Sequence, residues 1–373
     1  MAGKAILVGI KFPFDDNFNI KNSMIELAEL SKTIELEILD SIIQSRREPD
    51  PRYFIGYGKL NELKQYFSDK TETYLIFNNE ISPIQARNIE NETNFKVMTR
   101  TEVILEIFSR HARTQVSKMQ VELARLEYKL SRIVGKGKEL SRLGGGIGTR
   151  GPGEQKLELE RREIRKRIKL LKDRLKIVEQ EKNTQRKKRI KNTFKIAIAG
   201  YTNAGKSSLL KKLTKANVLI EDKLFATLDT TTRRLWLGNE IDEDIVITDT
   251  VGFIKDIPHE LIESFKSTLM DTINANLIIE LIDISDPDFE NKMQIVENTL
   301  EEIGFDKDIL LCFNKIDLLN GDELNIIKNK HPNSIYISVK TGEGLEELKN
   351  YLKEYILRFS FKTSATKTLS PSL

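Results

Sequence analysis

The chain has 373 residues, 39% hydrophobic and 31% charged, a balance that supports packed cores and excludes disorder over the whole length. A single cysteine, Cys312, excludes an internal disulfide framework and a cysteine-cluster metal site, and the three histidines, His111, His259 and His331, are too scattered for a histidine-based zinc site. The net charge of +4 is a sum of unlike parts: Arg110 to Lys191 carry 26 Lys+Arg against 10 Asp+Glu, while the remainder carries 34 against 46. A basic stretch between acidic flanks points to a polyanion partner, with a solvated helical surface as the plainer alternative.

The first 110 residues alternate strand and helix patterns. Strands are expected at Ala5–Ile10, Ile34–Ile43, Thr73–Phe77 and Phe95–Met98. Helices are expected at Met24–Lys32, at Lys59–Phe67, from Ser82-Pro83 onward, and at Glu102–Arg110 with Thr101 as its cap. Repeated βα units argue for a small parallel α/β domain. The turn at Gly56 and Gly58 brings no further phosphate ligands and reads as a plain turn.

The middle of the chain carries two apolar stripes. Val116, Met119, Leu123, Leu126, Leu130 and Ile133 form one; Leu157, Ile164, Ile168, Leu171, Leu175 and Val178 form the other. Charges occupy the remaining faces, the pattern of a two-helix coiled coil. The glycine-rich run Val134 to Gly153 between them predicts a break in the helix and an antiparallel hairpin with a basic tip bearing Lys136, Lys138, Arg142 and Arg150.

From Phe194 the βα alternation returns. Strands are expected at Phe194–Ala199, Arg233–Leu237, Ile245–Thr248, Leu277–Ile282, Ile309–Phe313 and Ser334–Ile337, and a last helix at Leu345–Leu357. The expected organisation is therefore α/β: an N-terminal parallel α/β domain (1–110), a basic helical hairpin linker (111–192), a C-terminal α/β domain with a mainly parallel sheet (193–359) and a polar, frayed tail (360–373). No apolar run approaches the ~18 residues of a spanning helix, so no integral membrane insertion is expected. The N-terminal AILVGI is too short for a signal peptide, and the default location is the cytoplasm.

Gly200, Tyr201, Thr202, Asn203, Ala204, Gly205, Lys206 and Ser207 fit G-x-x-x-x-G-K-[ST] after one apolar strand and before a helix. Backbone N–H groups of such a loop face phosphates, Lys206 neutralises β/γ oxygens, and Ser207 offers a hydroxyl to Mg²⁺. Asp249, Thr250, Val251 and Gly252 follow a strand; the carboxylate reaches the Mg²⁺ shell and the Gly252 N–H meets the γ-phosphate. Asn314, Lys315, Ile316 and Asp317 follow another strand, and the Asp317 carboxylate accepts from guanine N1–H and N2–H₂, a donor pair that adenine lacks. Ser338, Val339 and Lys340 close over the base. These motifs come in order at strand C-termini, where open α/β sheets bind ligands. They predict binding of GTP and GDP and hydrolysis of GTP. The switch segment holds Phe225, Ala226, Thr227, Leu228 and Asp229, with Thr227 chosen among several threonines as the second magnesium hydroxyl.

FATLD at Phe225–Asp229, DTVGFI and PHELIESFKSTLMDT after it resemble the HflX family of ribosome-associated GTPases. YFIGYGKLNEL, ISPIQARNIE, QVELARLEY and GGGIGTRGPGEQKLE extend the resemblance over nearly the whole chain, excluding the tail. It supports Thr227 as the switch ligand. It implies association with the 50S subunit and its ribosomal RNA, near the peptidyl transferase centre, and splitting or rescue of stalled ribosomes or a role in ribosome biogenesis. A regulatory switch for a protein partner or another RNA is the alternative. The expected chain is a monomer, cytoplasmic, with peripheral membrane association as a second location. Three departures stand out: Thr230 replaces a usual proline and predicts a looser switch, Thr99-Arg100-Thr101 replaces Asp-Arg-Thr and questions the local cap, and Val339 replaces alanine.

Phe253 stands where many GTPases carry a water-orienting glutamine, which predicts slow intrinsic hydrolysis and stimulation by the ribosome. Asn203 occupies the loop position that holds K⁺ in related potassium-activated GTPases, so K⁺ joins Mg²⁺ as a candidate cofactor. His259 reads as a helix-start residue and not a base, and Cys312 as a buried apolar residue.

Overall fold

The computed structural model describes residues 3–67, 72–143, 152–189, 193–214, 224–225, 228, 230–241, 243–255 and 272–368. They divide into two compact units, one ending at Val178 and the other beginning at Glu179. Both are built on parallel sheets, as the βα alternation predicts.

In the first unit, strands β1 (Lys4–Lys11), β2 (Glu37–Ser45), β3 (Thr73–Phe77) and β4 (Lys96–Thr99) form one parallel sheet in the order β2-β1-β3-β4. Helices α1 (Asn17–Thr33), α2 (Tyr57–Phe67), α3 (Pro83–Thr93) and α4 (Arg100–His111) accompany it. Alternation along β1 sends Ile6, Val8 and Ile10 into one core with Leu60, Leu63 and Ile89. The α3 start follows expectation: Ser82 is the N-cap, Pro83 opens the helix and Gln85 completes a capping box. The α4 cap does not. Thr99, not Thr101, accepts from Glu102 N–H, and the Glu102 side chain returns to the Thr99 N–H. The threonine in place of aspartate keeps a hydroxyl acceptor where the helix needs one.

Helices α5 (Gln115–Leu143) and α6 (Pro152–Arg189) follow. They run antiparallel: Glu122 pairs with Arg167, Lys129 with Glu160, and the Ile133 carbonyl accepts from Arg161. Leu123, Ile133, Ile164 and Leu171 are buried. The expected break at Val134 is displaced. α5 continues through Gly135 and Gly137 to Leu143, because isolated glycines cost a helix only about 1 kcal/mol each. The tip at 144–151, including Arg150, lies outside the described residues. α5 is anchored to the sheet domain through Tyr128, whose hydroxyl donates to Glu80 at 2.8 Å, meets Thr99 Oγ1 at 2.8 Å and accepts from Arg132 at 2.6 Å.

The second unit holds a six-stranded sheet in the order β10-β9-β8-β5-β7-β6. Its strands are β5 (Thr193–Ala199), β6 (Thr231–Arg234), β7 (Asp244–Asp249), β8 (Leu277–Asp283), β9 (Ile309–Asn314) and β10 (Ile335–Tyr336). All pairings are parallel except β6 with β7. Helix α7 (Lys206–Thr214) follows β5, α8 (Phe289–Glu302) follows β8, α9 (Gly321–Lys330) follows β9 and α10 (Leu345–Thr368) ends the described chain. α10 continues past the predicted fraying point at Ser360. The β5, β7 and β8 side chains on one face pack with Leu209, Leu213, Leu348, Leu352 and Ile356. Cys312 is fully buried in that core, and burial pushes its thiol well above its ordinary range. Among the described residues, no helix is long and apolar enough to cross a membrane.

Candidate functional site: a P-loop at the sheet's C-terminal edge

The loop Gly200–Ser207 leaves β5 and feeds straight into α7, so the helix N-terminus faces the loop. Two glycines are dictated by geometry. Gly200 has φ +149°, and a Cβ there would lie 2.3 Å from the Leu281 carbonyl oxygen. Gly205 has φ +98°, and a Cβ would collide with the Asn314 amide at 2.6 Å. Asn203 adopts φ +62°, a left-handed conformation that asparagine tolerates, and is exposed. Lys206 is buried at 7% exposure, and its ammonium donates to the Gly200 carbonyl at 3.0 Å and the Tyr201 carbonyl at 2.7 Å. Burial pushes its pKa down to about 8, with nearby Asp249 drawing it back up.

Asp249 ends β7, fully buried, and accepts from the Ser207 hydroxyl at 2.6 Å. A hydroxyl and a carboxylate in contact form a hard-oxygen pair that fits Mg²⁺. Thr250 is buried and donates its hydroxyl to the Ile198 carbonyl at 2.8 Å, tying the strand-end motif to β5. Val251 and Gly252 follow, and a Cβ at Gly252 would come within 3.1 Å of Lys206 Nζ. The Phe253 side chain is 3% exposed and carbon-only.

At the other end of the edge, Asn314 spans two motifs. Its amide donates to the Ala204 carbonyl at 2.8 Å, and its carbonyl accepts from the Val339 N–H at 3.0 Å. The Ser338 hydroxyl donates to Asp317 Oδ1 at 2.6 Å, orienting the carboxylate expected to meet guanine. Ile316 is buried and Lys340 exposed. Lys315, at φ +69°, pairs with Asp283 at 2.6 Å. Asp283 was not among the expected site residues; its place at the C-terminal end of β8 is the signal that could have found it.

The structure thus joins three of the four motif groups: loop, strand-end aspartate and base motifs. The fourth is described only in part. Phe225 and Leu228 are buried, Phe225 at φ +57°. Ala226, Thr227 and Asp229 lie outside the described residues, as do His259 and nearly all of the PHELIESFKSTLMDT segment.

A parallel-sheet fold with this loop, this strand-end aspartate and these base motifs defines a P-loop GTPase. Three family models match the chain: GTP-binding GTPase N-terminal over residues 21–109, GTP-binding GTPase middle region over 111–189, and 50S ribosome-binding GTPase over 195–315. The chain is 47% identical to GTPase HflX of Lacrimispora saccharolytica over 95% of its length and 83% of that protein's. It is 39% identical to GTPase HflX of Escherichia coli, covering 94% of this chain and 82% of that one. A GTP-binding protein from the archaeon Sulfolobus solfataricus, solved with GDP, superposes with a TM-score of 0.50 at 25% identity, covering 96% and 99% of the two chains. The chain belongs to the HflX family of GTPases.

Proposed function

We propose that this GTPase acts on the large (50S) ribosomal subunit, splitting or rescuing stalled ribosomes or serving subunit biogenesis, as a cytoplasmic monomer. The observation that carries the reading is the match of residues 195–315 to a 50S ribosome-binding GTPase family. The excess of 26 Lys+Arg over 10 Asp+Glu from Arg110 to Lys191 supports it. In this reading 1–110 is an α/β domain, 111–192 the ribosomal-RNA contact, 193–359 the nucleotide engine and 360–373 a tail. A basic hairpin tracks phosphate backbone, and its small-residue tip permits close approach to RNA.

Within the nucleotide site, Gly200–Ser207 holds the phosphates, Asp317 with Ser338 and Asn314 holds guanine, and Ser207 with Thr227 holds Mg²⁺. When bound, Mg²⁺ supplies neutralisation of the β/γ oxygens. Asn203 is the candidate ligand for K⁺. Lys206, whose ammonium donates to the Gly200 and Tyr201 carbonyls, would neutralise the β/γ oxygens when nucleotide is bound, and the Gly252 N–H would meet the γ-phosphate. Phe253 has no group to orient water, so the chain alone hydrolyses slowly and the subunit supplies the stimulation.

The test is gradient co-sedimentation of the full chain with 50S and 70S particles, with a non-hydrolysable GTP analogue or with GDP. The expected result is analogue-dependent binding that weakens steeply with salt and is lost on deleting 144–153. Hydrolysis should rise on adding 50S and should differ between KCl and NaCl. Absence of binding to either particle in the analogue overturns the reading.

A further inference from the structure

Lys315 stands in the base motif in a costly conformation. Its φ of +69° lies in the left-handed region, where asparagine or glycine fits more readily than lysine, a strain that folds retain where a residue is in use. Its side chain is pinned at the far end. The ammonium donates to Asp283 Oδ2 at 2.6 Å, and the two side chains are 28% and 22% exposed. Asp283 closes β8 opposite Asn314 of β9, and the Ile284 N–H donates to the Asn314 carbonyl at 3.1 Å. The carboxylate thus reaches Lys315 from the end of the neighbouring strand.

The other carboxylate oxygen is fixed too. Asp283 Oδ1 accepts from the Ser285 N–H at 3.1 Å and from the Ser285 hydroxyl at 2.6 Å. A free lysine stem samples many rotamers, and ordering it on binding costs entropy. Anchoring at both ends, at the backbone and at the ammonium, removes much of that cost before nucleotide arrives. What Lys315 then presents beside the base motif is its four-carbon stem, an apolar strip that suits the face of a planar base. Its charge is answered locally by Asp283.

We propose that Asp283 is a positioning residue for the base. It holds the Lys315 stem as a preformed wall and sets the affinity for guanine and hypoxanthine nucleotides alike, while the choice among bases stays with Asp317. The proposal rests on reading Asn314–Asp317 as the base motif.

The test uses the full chain in Mg²⁺, with GDP and IDP competing against fluorescent GDP. Asp283→Asn keeps an oxygen for Ser285 and removes the charge that holds Lys315. Affinity for both nucleotides is expected to fall roughly two- to tenfold, the value of one partly exposed charge-assisted bond, with the GDP-to-IDP ratio unchanged within twofold. Lys315→Met removes the ammonium, keeps an unbranched stem and leaves the Asp283–Ser285 bonds in place; a loss of similar size is expected. On the Lys315→Met background Asp283→Asn then adds nothing, because the pair it serves is gone. A purely structural role at the end of β8 gives an Asp283→Asn loss of the same size on both backgrounds, and that result overturns the proposal. Unchanged affinity in either single variant, or a shifted GDP-to-IDP ratio in Asp283→Asn, overturns it as well. Wild type that binds neither nucleotide overturns the base-motif reading instead.

Discussion

The Ser207 hydroxyl donates to Asp249 Oδ2 at 2.6 Å, so the P-loop's last residue and the strand-end carboxylate are already joined across two different elements. β5 and β7 pair in register, with Ile198 opposite Asp249, and this brings the two together. A hydroxyl and a carboxylate so placed offer hard oxygens to a divalent cation.

Ser207→Ala removes the hydroxyl from that pair. Nucleotide affinity in Mg²⁺ is expected to fall roughly 10- to 100-fold, with a smaller change in EDTA. Titration with fluorescent GDP in both buffers measures it. Equal losses with and without Mg²⁺ contradict the role.

Asp317 is oriented by the Ser338 hydroxyl at 2.6 Å. Asp317→Asn replaces an acceptor oxygen with a donor, which opposes guanine N2–H₂ and suits the C2 carbonyl of xanthine. GTP affinity is expected to fall roughly 100-fold or more while XTP affinity rises. Competition binding with the two nucleotides tests this, and unaltered GTP preference contradicts it.

Glu280 sits fully buried on β8, and neither carboxyl oxygen has a hydrogen-bond partner among the described residues. Burial pushes its pKa from an ordinary 4.5 up to about 8, with Glu297 adding to the rise. A carboxyl whose folded pKa is raised favours folding fully below the unfolded value and loses that contribution as pH rises through the folded one. Between pH 4.5 and 8 this group therefore lowers stability, on the order of a few kcal/mol in all. Glu280→Gln, neutral throughout, should flatten that slope in urea unfolding at pH 5 and pH 8. An unchanged slope would show that other groups set it.

Thr99 both caps α4 and meets the Tyr128 hydroxyl at 2.8 Å. Thr99→Ala is expected to cost about 1–3 kcal/mol, combining a lost cap with a lost buried hydrogen bond. Tyr128→Phe keeps the α4 cap but removes the hydroxyl's contacts to Glu80, Thr99 and Arg132, so it should cost at least as much. Chemical denaturation of both variants checks the order.

The nucleotide motifs were legible in the sequence because each is local. Gly200–Ser207 bends one loop, and the positive φ at Gly200 and Gly205, a property of that loop's own backbone, favours glycine. The βα alternation was legible too, since strand and helix periods repeat over short spans. Helix limits were less so. Gly135 and Gly137 lie within α5, where a pair of isolated glycines costs too little to end the helix. The α4 cap moved from Thr101 to Thr99 because the end of β4, a sheet property, decides where the helix begins.

What the sequence by itself determined was the chemistry: a P-loop GTPase of the HflX family, with a basic stretch between acidic flanks. What only tertiary structure decided was how distant groups act on one another. Asp283 reaches Lys315, Asn314 links Ala204 to Val339, and the Tyr201 hydroxyl holds the backbone at Lys255. These residues lie up to 135 positions apart in the chain, between Ala204 and Val339. Parallel strand pairing brings their ends to one edge, and hydrogen bonds short enough to matter exist only once that edge is built.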